Sequence, residues 1–333
     1  MSRAPIIAFE ATVVAVEDLS PAFRRITLGG PGLADFGVPG HPRDLRFKLV
    51  IPPAGAPEPA FDLLEFLSSQ DGSGLSWYQS WLQLDPQVRG SMRTYTVREW
   101  RDEDRELVVD MVLHTDAEGH SGPAASWAQS AEVGHRLHLI GPTRYAETYS
   151  GLEFEPGGAR QILLAGDETA VPAIASILDF LRGSGVAGRA ILEVPTTADF
   201  LEIEAPDGFE VQWLARGSAV HGELLEPAVR EAVRAESPAL AEVGATASGG
   251  GALVELEDVD IDSEILWDVP AALTTAAQGS SSDSAEGARP FYAWIAGEAG
   301  PVKRLRRYLV QEVGVDRKQI AFMGYWRAGR AES

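Results

Sequence analysis

Arg93-Thr94-Tyr95-Thr96-Val97-Arg98 is the stretch on which the reading of this chain turns. It alternates, and it is dense in β-branched and aromatic residues, which predicts a strand. On a strand, Arg93, Tyr95 and Val97 share one face, and Thr94, Thr96 and Arg98 share the other. An arginine beside a tyrosine suits a flat, anionic ligand. A guanidinium grips a phosphate at two points. A phenol ring lies on a ring system, and its hydroxyl bonds to a sugar alcohol. Thr96 can donate its hydroxyl to a ring nitrogen or carbonyl. An ordinary barrel strand with solvated arginines accounts for the hexapeptide as well, so its surroundings must decide.

Outward from that strand, the N-terminal part of the chain is a series of short strands. Ala11 to Val16 and Phe23 to Leu28 are predicted strands split by a turn at Asp18-Leu19-Ser20-Pro21, and Arg46 to Ile51 is another. Phe61 to Tyr78 is less regular, and Trp77 to Leu84 is a short helical or irregular segment. After the Arg93 strand come strands at Glu106 to His114 and Arg136 to Ile140, the last ended by Gly141-Pro142. Several short strands with turn signals predict a β-barrel of Greek-key type.

From Gln161 the pattern changes. Ile162 to Ala165, Ala190 to Val194, Glu210 to Leu214 and Phe291 to Ala296 are predicted strands. They alternate with helices that follow Gly166-Asp167 through Leu181 and span Gly222 to Arg234 and Pro301 to Val313. That alternation predicts a parallel sheet with right-handed crossovers. The expected division is a barrel domain over 1–148 and an α/β domain over 159–333, joined by the glycine- and proline-bearing Tyr149 to Ala159. Within the second domain, residues 236–288 hold 11 acidic residues and no Lys or Arg before Arg289, which predicts a surface insertion with linker-like ends and a docked centre.

Composition removes several function classes. The 333 residues carry 28 Lys+Arg against 49 Asp+Glu, a net charge of −21, which disfavours nucleic acid and anionic membrane surfaces as partners. With no cysteine, there is no disulfide, no thiolate-held iron–sulfur cluster and no catalytic thiol. A redox enzyme of this composition needs a borrowed cofactor. The N-terminus lacks a signal-like apolar core, and the apolar region from Ile162 to Phe180 is cut by Asp167, Glu168 and Thr169, so a cytoplasmic protein is expected. The six histidines show no metal-ligand spacing.

Gly119 to Ala128 joins a strand to a helix opened by Gly122 and Pro123. A helix start offers free N–H groups and a positive dipole end, which suits a pyrophosphate. Gly166-Asp167-Glu168-Thr169-Ala170 stands where a parallel strand meets its helix, the place where open α/β sheets bind ligands. Its two acids also suit simple helix capping.

In order along the chain, Arg93-Thr94-Tyr95-Thr96, Gly122-Pro123-Ala124-Ala125-Ser126-Trp127-Ala128, Gly166-Asp167-Glu168-Thr169-Ala170 and Gly324-Tyr325-Trp326-Arg327 resemble the siderophore-interacting protein family. These are FAD-dependent ferric-siderophore reductases, a branch of the ferredoxin-reductase-like flavoproteins. The resemblance covers nearly the whole chain. It implies FAD at Arg93, Tyr95, Thr96 and Val97, with His114, Gly122, Ala124, Ala125 and Ser126 near its phosphates or ribose. It implies NAD(P)H as electron donor at Asp167, Thr169, Ala170 and Gly297, with Arg216 as a phosphate contact, and some relatives use ferredoxin instead. Ile320 to Met323 is a predicted last strand after which Gly324 turns the chain, and the resemblance makes Trp326 or Tyr325 an aromatic cover for the flavin. The implied activity is reduction of a ferric siderophore, with Lys48, Arg43, Arg46 and the Lys303-Arg304-Arg306-Arg307 group as candidates to attract the chelate. A general flavin or quinone reductase and a non-catalytic ferric-siderophore carrier remain the alternatives.

Overall fold

A computed structural model describes residues 4–38, 40–53, 55–69, 76–114, 121–146, 150–235, 266–270 and 291–329. The chain divides into two compact units, the first running to Leu152 and the second from Glu153.

The first unit is a seven-stranded antiparallel sheet. Its strands are β1 (Ile6–Ser20), β2 (Phe23–Gly29), β3 (Arg46–Ile51), β4 (Ser91–Thr96), β5 (Glu99–Arg101), β6 (Glu106–Val112) and β7 (Arg136–Pro142), in the order β4-β3-β7-β1-β2-β6-β5. β4 and β5 are the two edges of this sheet, yet only Val97 and Arg98 separate them in the chain. The sheet must therefore curl until its edges meet, and the backbone shows how. Val97 N donates to Leu45 O at 2.8 Å on one side, and Arg98 N donates to Val108 O at 3.0 Å on the other. Phe9, Val13, Ile26, Leu28, Phe47, Leu49, Val97, Leu107 and Val109 fill the interior. Their spacing of two along each strand is the barrel's inward face.

Several element boundaries differ from the sequence expectation: β1 starts earlier, at Ile6, β6 ends at Val112, β5 was not expected, and three further differences have a visible cause. β1 runs on through Asp18 and Leu19 to pair Ser20 with Phe23, so the turn falls at Pro21-Ala22. β7 includes Gly141 and Pro142, which pair with Ile7 and Ile6 at the start of β1. The irregular stretch after Phe61 contains a helix, α1 (Leu63–Ser68), capped by Asp62, whose carboxylate accepts from Leu64 N and Glu65 N. With α2 (Trp77–Leu82) it covers the outward face of the barrel, where Trp81, Leu63, Met92 and Val50 form a second, smaller core. The short α3 (Pro86–Arg89) then leads into β4.

The second unit is built on β8 (Gln161–Asp167), β9 (Ala187–Val194), β10 (Phe209–Ala215), β12 (Phe291–Glu298) and β13 (Ile320–Trp326). The order is β10-β9-β8-β12-β13-β11, parallel throughout except for the two-residue edge strand β11 (Trp267–Asp268). Both faces of such a sheet are buried, which is why β8 and β12 are apolar runs rather than alternating ones. Helices α5 (Val171–Leu181), α6 (Leu225–Ala235) and α7 (Ala299–Arg307) pack on it. The expected helix Pro301 to Val313 is two pieces, α7 and a π-helical turn at Tyr308–Val313 that ends at Gly314 in the left-handed region. Residues 266–270, in the middle of the acidic stretch, dock onto β13: Leu266 is buried, and Asp268 pairs with Arg306 at 2.8 Å and Arg317 at 3.0 Å. The rest of the stretch, 236–265 and 271–288, lies outside the described residues.

Candidate active site

In the barrel unit, β4 and β3 pair so that Arg93 lies opposite Leu49 and Tyr95 opposite Phe47. Directly opposed residues share a face, and Leu49 and Phe47 point into the core. Arg93 and Tyr95 therefore sit on the inward face, half-buried, with Tyr95 packed against the core and Val97 fully inside it. Arg93 Nη1 donates to its neighbour's carbonyl, Met92 O, at 2.8 Å. Thr96 is buried on the opposite face, across from Arg46. Lys48 is exposed on that same outer face and donates Nζ to Thr94 Oγ1 at 2.7 Å.

Helix α4 (Pro123–Ser130) lies against the same core through Trp127 and Ala128. Gly122 is its N-cap, and no side chain caps it. Pro123 has no N–H, and the first intrahelical bond is Ser126 N to Gly122 O at 2.9 Å. The N–H groups of Ala124 and Ala125 thus have no acceptor within the helix. A Cβ placed on Gly122 would meet no described atom within 4 Å, so the N-cap position itself is uncrowded. Ser126 Oγ turns back to Ser121 O at 3.2 Å. His114 is half-buried, two residues beyond the end of β6. An inward-facing guanidinium, a tyrosine ring and a helix start without a side-chain cap are the parts that a dinucleotide with a pyrophosphate requires. By that test the residues present fit FAD.

In the α/β unit, the carboxyl ends of the parallel strands carry a knot of buried charge. Asp167, the last residue of β8, is 2% exposed. Its Oδ1 accepts from Thr169 N at 2.9 Å and Thr169 Oγ1 at 2.5 Å, and its Oδ2 from Glu298 N at 2.7 Å and Trp326 Nε1 at 2.9 Å. Burial, with the charge of Glu168 added, pushes its carboxyl up to about 6 even though these donors pull it down. Glu168 is fully buried and holds the Arg216 guanidinium by two bonds of 2.9 Å, with His221 Nε2 at 3.2 Å. Burial works against the Arg216 charge, but the Glu168 hydrogen bonds and the neighbouring carboxylates outweigh it and raise its pKa. Glu193 accepts from Gly222 N, Leu224 N and Leu225 N at 2.8–3.1 Å, so it caps α6. His221 meets the Trp326 ring edge-on at 4.7 Å. Ala170 is buried as the residue before α5.

Of the residues singled out in the sequence, Asp167, Thr169, Arg216, Gly297 and Trp326 come together here. Arg216 is turned inward to Glu168 rather than displayed. Glu193 and His221 were missed. Glu193 had a signal, since it is a charge inside the apolar run Ala190 to Val194 of a strand buried on both faces. Tyr325 packs in the sheet between Trp267, stacked at 6.0 Å, and Trp294 at 6.1 Å. Gly324 does not turn the chain: it pairs with Gly297, and β13 continues to Trp326. Arg304 pairs with Glu226 and Arg306 is buried against Asp268, so at least these two of the basic group on α7 are taken up in structural pairs. Among the described residues no group of three or more His, Asp or Glu could hold a metal ion.

Residues 12–146 match the model of the siderophore-interacting FAD-binding domain, and residues 159–329 match the model of the siderophore-interacting protein. The chain belongs to the siderophore-interacting protein family. An uncharacterised family relative from Mycobacterium tuberculosis is 32% identical over 340 residues, covering 100% of this chain and 94% of the relative. Ferric vibriobactin reductase ViuB of Vibrio cholerae is 26% identical over 308 residues, 92% of this chain and 85% of the relative. Among solved structures, a siderophore utilization protein from T. fusca superposes with a TM-score of 0.61 at 25% identity, covering 98% and 95% of the two chains. As in this siderophore-interacting protein, a ferredoxin reductase of carbazole 1,9a-dioxygenase has the ferredoxin-reductase-like fold, with a TM-score of 0.53 at 16% identity over 97% of this chain and 70% of that one. No described helix is long and apolar enough to cross a membrane.

Proposed function

We propose that this protein is an FAD-dependent reductase of ferric siderophores, working in the cytoplasm with NAD(P)H as electron donor. The observation that carries the reading is the match of residues 12–146 to the FAD-binding domain model, which spans both Arg93 and the uncapped start of α4. Relatives named ferric vibriobactin reductase and NADPH-dependent ferric-chelate reductase support the activity.

In this reading the barrel unit holds FAD. Arg93 takes the pyrophosphate as a bidentate partner, and the N–H groups of Ala124 and Ala125, opened by Gly122, take its other oxygens. Tyr95 lies along the flavin–ribitol side, Val97 backs it from the core, and Thr96, Ser126 and His114 complete the polar contacts. The α/β unit receives the nicotinamide nucleotide at the strand ends, around Thr169, Ala170 and Gly297. Bound FAD supplies the chemistry that links a two-electron donor to one-electron acceptors. The balance is one NAD(P)H and two ferric chelates giving NAD(P)⁺, a proton and two Fe(II). Siderophores hold Fe(II) far more weakly than Fe(III), so reduction releases the metal. The iron arrives inside its chelator, and Lys48, with its ammonium on the exposed outer face of β3, is suited to an anionic chelate.

The test is anaerobic turnover of purified, FAD-loaded protein with NADH or NADPH on a panel of ferric siderophores, read with an Fe(II) trap. Iron trapped at a rate above free FAD supports the reading. Reduction of free flavin or quinone alone makes it a general reductase. Chelate binding without flavin makes it a carrier, and reduction only by reduced ferredoxin replaces the donor.

A further inference from the structure

We infer that the donor is the nucleotide without a 2′-phosphate, NADH, and that Glu168 sets this choice by withholding Arg216. The inference rests on the reading that a nicotinamide nucleotide binds at the strand ends of the α/β unit.

Dinucleotides of open α/β sheets lie across the carboxyl ends of the strands, with the pyrophosphate at the first strand–helix turn and the adenosine ribose toward the neighbouring strand ends. Here those ends belong to β8, β9 and β10. A 2′-phosphate needs an arginine there, whereas a bare ribose hydroxyl is served by carboxylates. The described chain leaving these three strands, residues 168–170, 195–208 and 216–224, contains one arginine, Arg216, and no lysine. That arginine is not available. Its side chain is 8% exposed, both arms of its fork are filled by Glu168, and Glu193 stands 3.5 Å from Nη1 on the other side.

The second cationic feature of this edge is equally occupied. The start of α6 would be an anion site, but the Glu193 carboxylate already accepts from Gly222, Leu224 and Leu225. Asp167, Glu168, Glu193 and Glu298 put four carboxylates at the strand ends, and the guanidinia near them are engaged, Arg216 by Glu168 and Arg304 by Glu226. The summed field of the carboxylates opposes a group that brings nearly two further negative charges.

Two measurements test this. Stopped-flow reduction of the bound FAD by NADH and by NADPH should favour NADH on the order of tenfold or more, a preference that shrinks as salt screens the field. Separately, and independent of turnover, calorimetric titration should show adenosine 5′-monophosphate binding more tightly than its 2′-phosphorylated form. In Glu168→Gln, which keeps the side chain's shape and removes the charge that holds the guanidinium, both ratios should move toward the phosphorylated ligand. The wild-type ratios stand on their own should that variant fail to fold. A wild-type preference for NADPH, or unchanged ratios in folded Glu168→Gln, overturns the inference while leaving the donor reading intact. No reduction by either nucleotide overturns both.

Discussion

Trp326 Nε1 donates to Asp167 Oδ2 at 2.9 Å, joining the last residues of two strands that do not touch in the sheet. β12 runs between them. The bond crosses β12 where it carries Gly297, and a Cβ at that position would lie 2.7 Å from Asp167 Cγ. The missing side chain is what lets the carboxylate and the indole meet. Trp326 is therefore tied into the α/β unit by its ring nitrogen, and its ring edge is set by His221.

Trp326→Phe should keep most of the ring's packing and remove this donor from a buried carboxylate. The expected loss is about 1–2 kcal/mol, measured by urea unfolding near pH 7.5. A midpoint indistinguishable from the parent protein would show that the bond contributes nothing.

Gly297→Ala should cost more, about 2–4 kcal/mol, because two penalties add. Its φ is +140°, where L side chains are strained, and the new methyl collides with Asp167. The variant should also quench or shift Trp326 emission as the indole loses its partner. Unfolding at the parent midpoint would rule out the close approach.

Asp167 gives stability an unusual dependence on pH. Its carboxyl is raised to about 6 in the folded protein, against an ordinary value of 3.8. Between those values the folded state binds more protons than the unfolded one, so this group's contribution is fully present below the unfolded pKa and is lost as pH rises through about 6. Asp167→Asn cannot titrate. The stability of the parent relative to this variant should fall by about 1 kcal/mol between pH 5 and pH 7.5. A flat or rising difference over that range contradicts the raised pKa.

Arg93→Ala should loosen FAD. Removing a bidentate, charge-assisted partner of the pyrophosphate costs roughly 2–3 kcal/mol, or about 30- to 100-fold in affinity. Fluorescence titration of the flavin-free protein with FAD measures it. Unchanged affinity would remove Arg93 from the cofactor site.

The elements whose patterns are local were legible in the chain. Strand periodicity located β3 to the residue, and the apolar runs found β8 and β12, because burial on one face or both writes itself into residue order. The helix capping that the two acids suggested is not formed: α5 starts after Ala170 with no side-chain cap, Asp167 bonds Thr169 ahead of the helix and Glu168 turns to Arg216. Boundaries failed where a partner far along the chain decides: β7 extends through Gly141 and Pro142 because Ile6 and Ile7 are there to pair with them, and Gly324 stays in a strand because Gly297 lies alongside.

By itself the sequence determined the succession of a strand-rich barrel and an α/β unit and, in a chain without cysteine, that redox chemistry would need a borrowed cofactor. Only the tertiary structure decided what those residues are free to do. Arg216 reads as a phosphate ligand until Glu168, 48 positions earlier, is seen to hold it, and Glu193 reads as a misplaced charge until the start of α6 is brought to it. The physical reason is that the availability of a charge depends on which opposite charge the fold places within about 3 Å of it, a distance that separation along the chain does not encode.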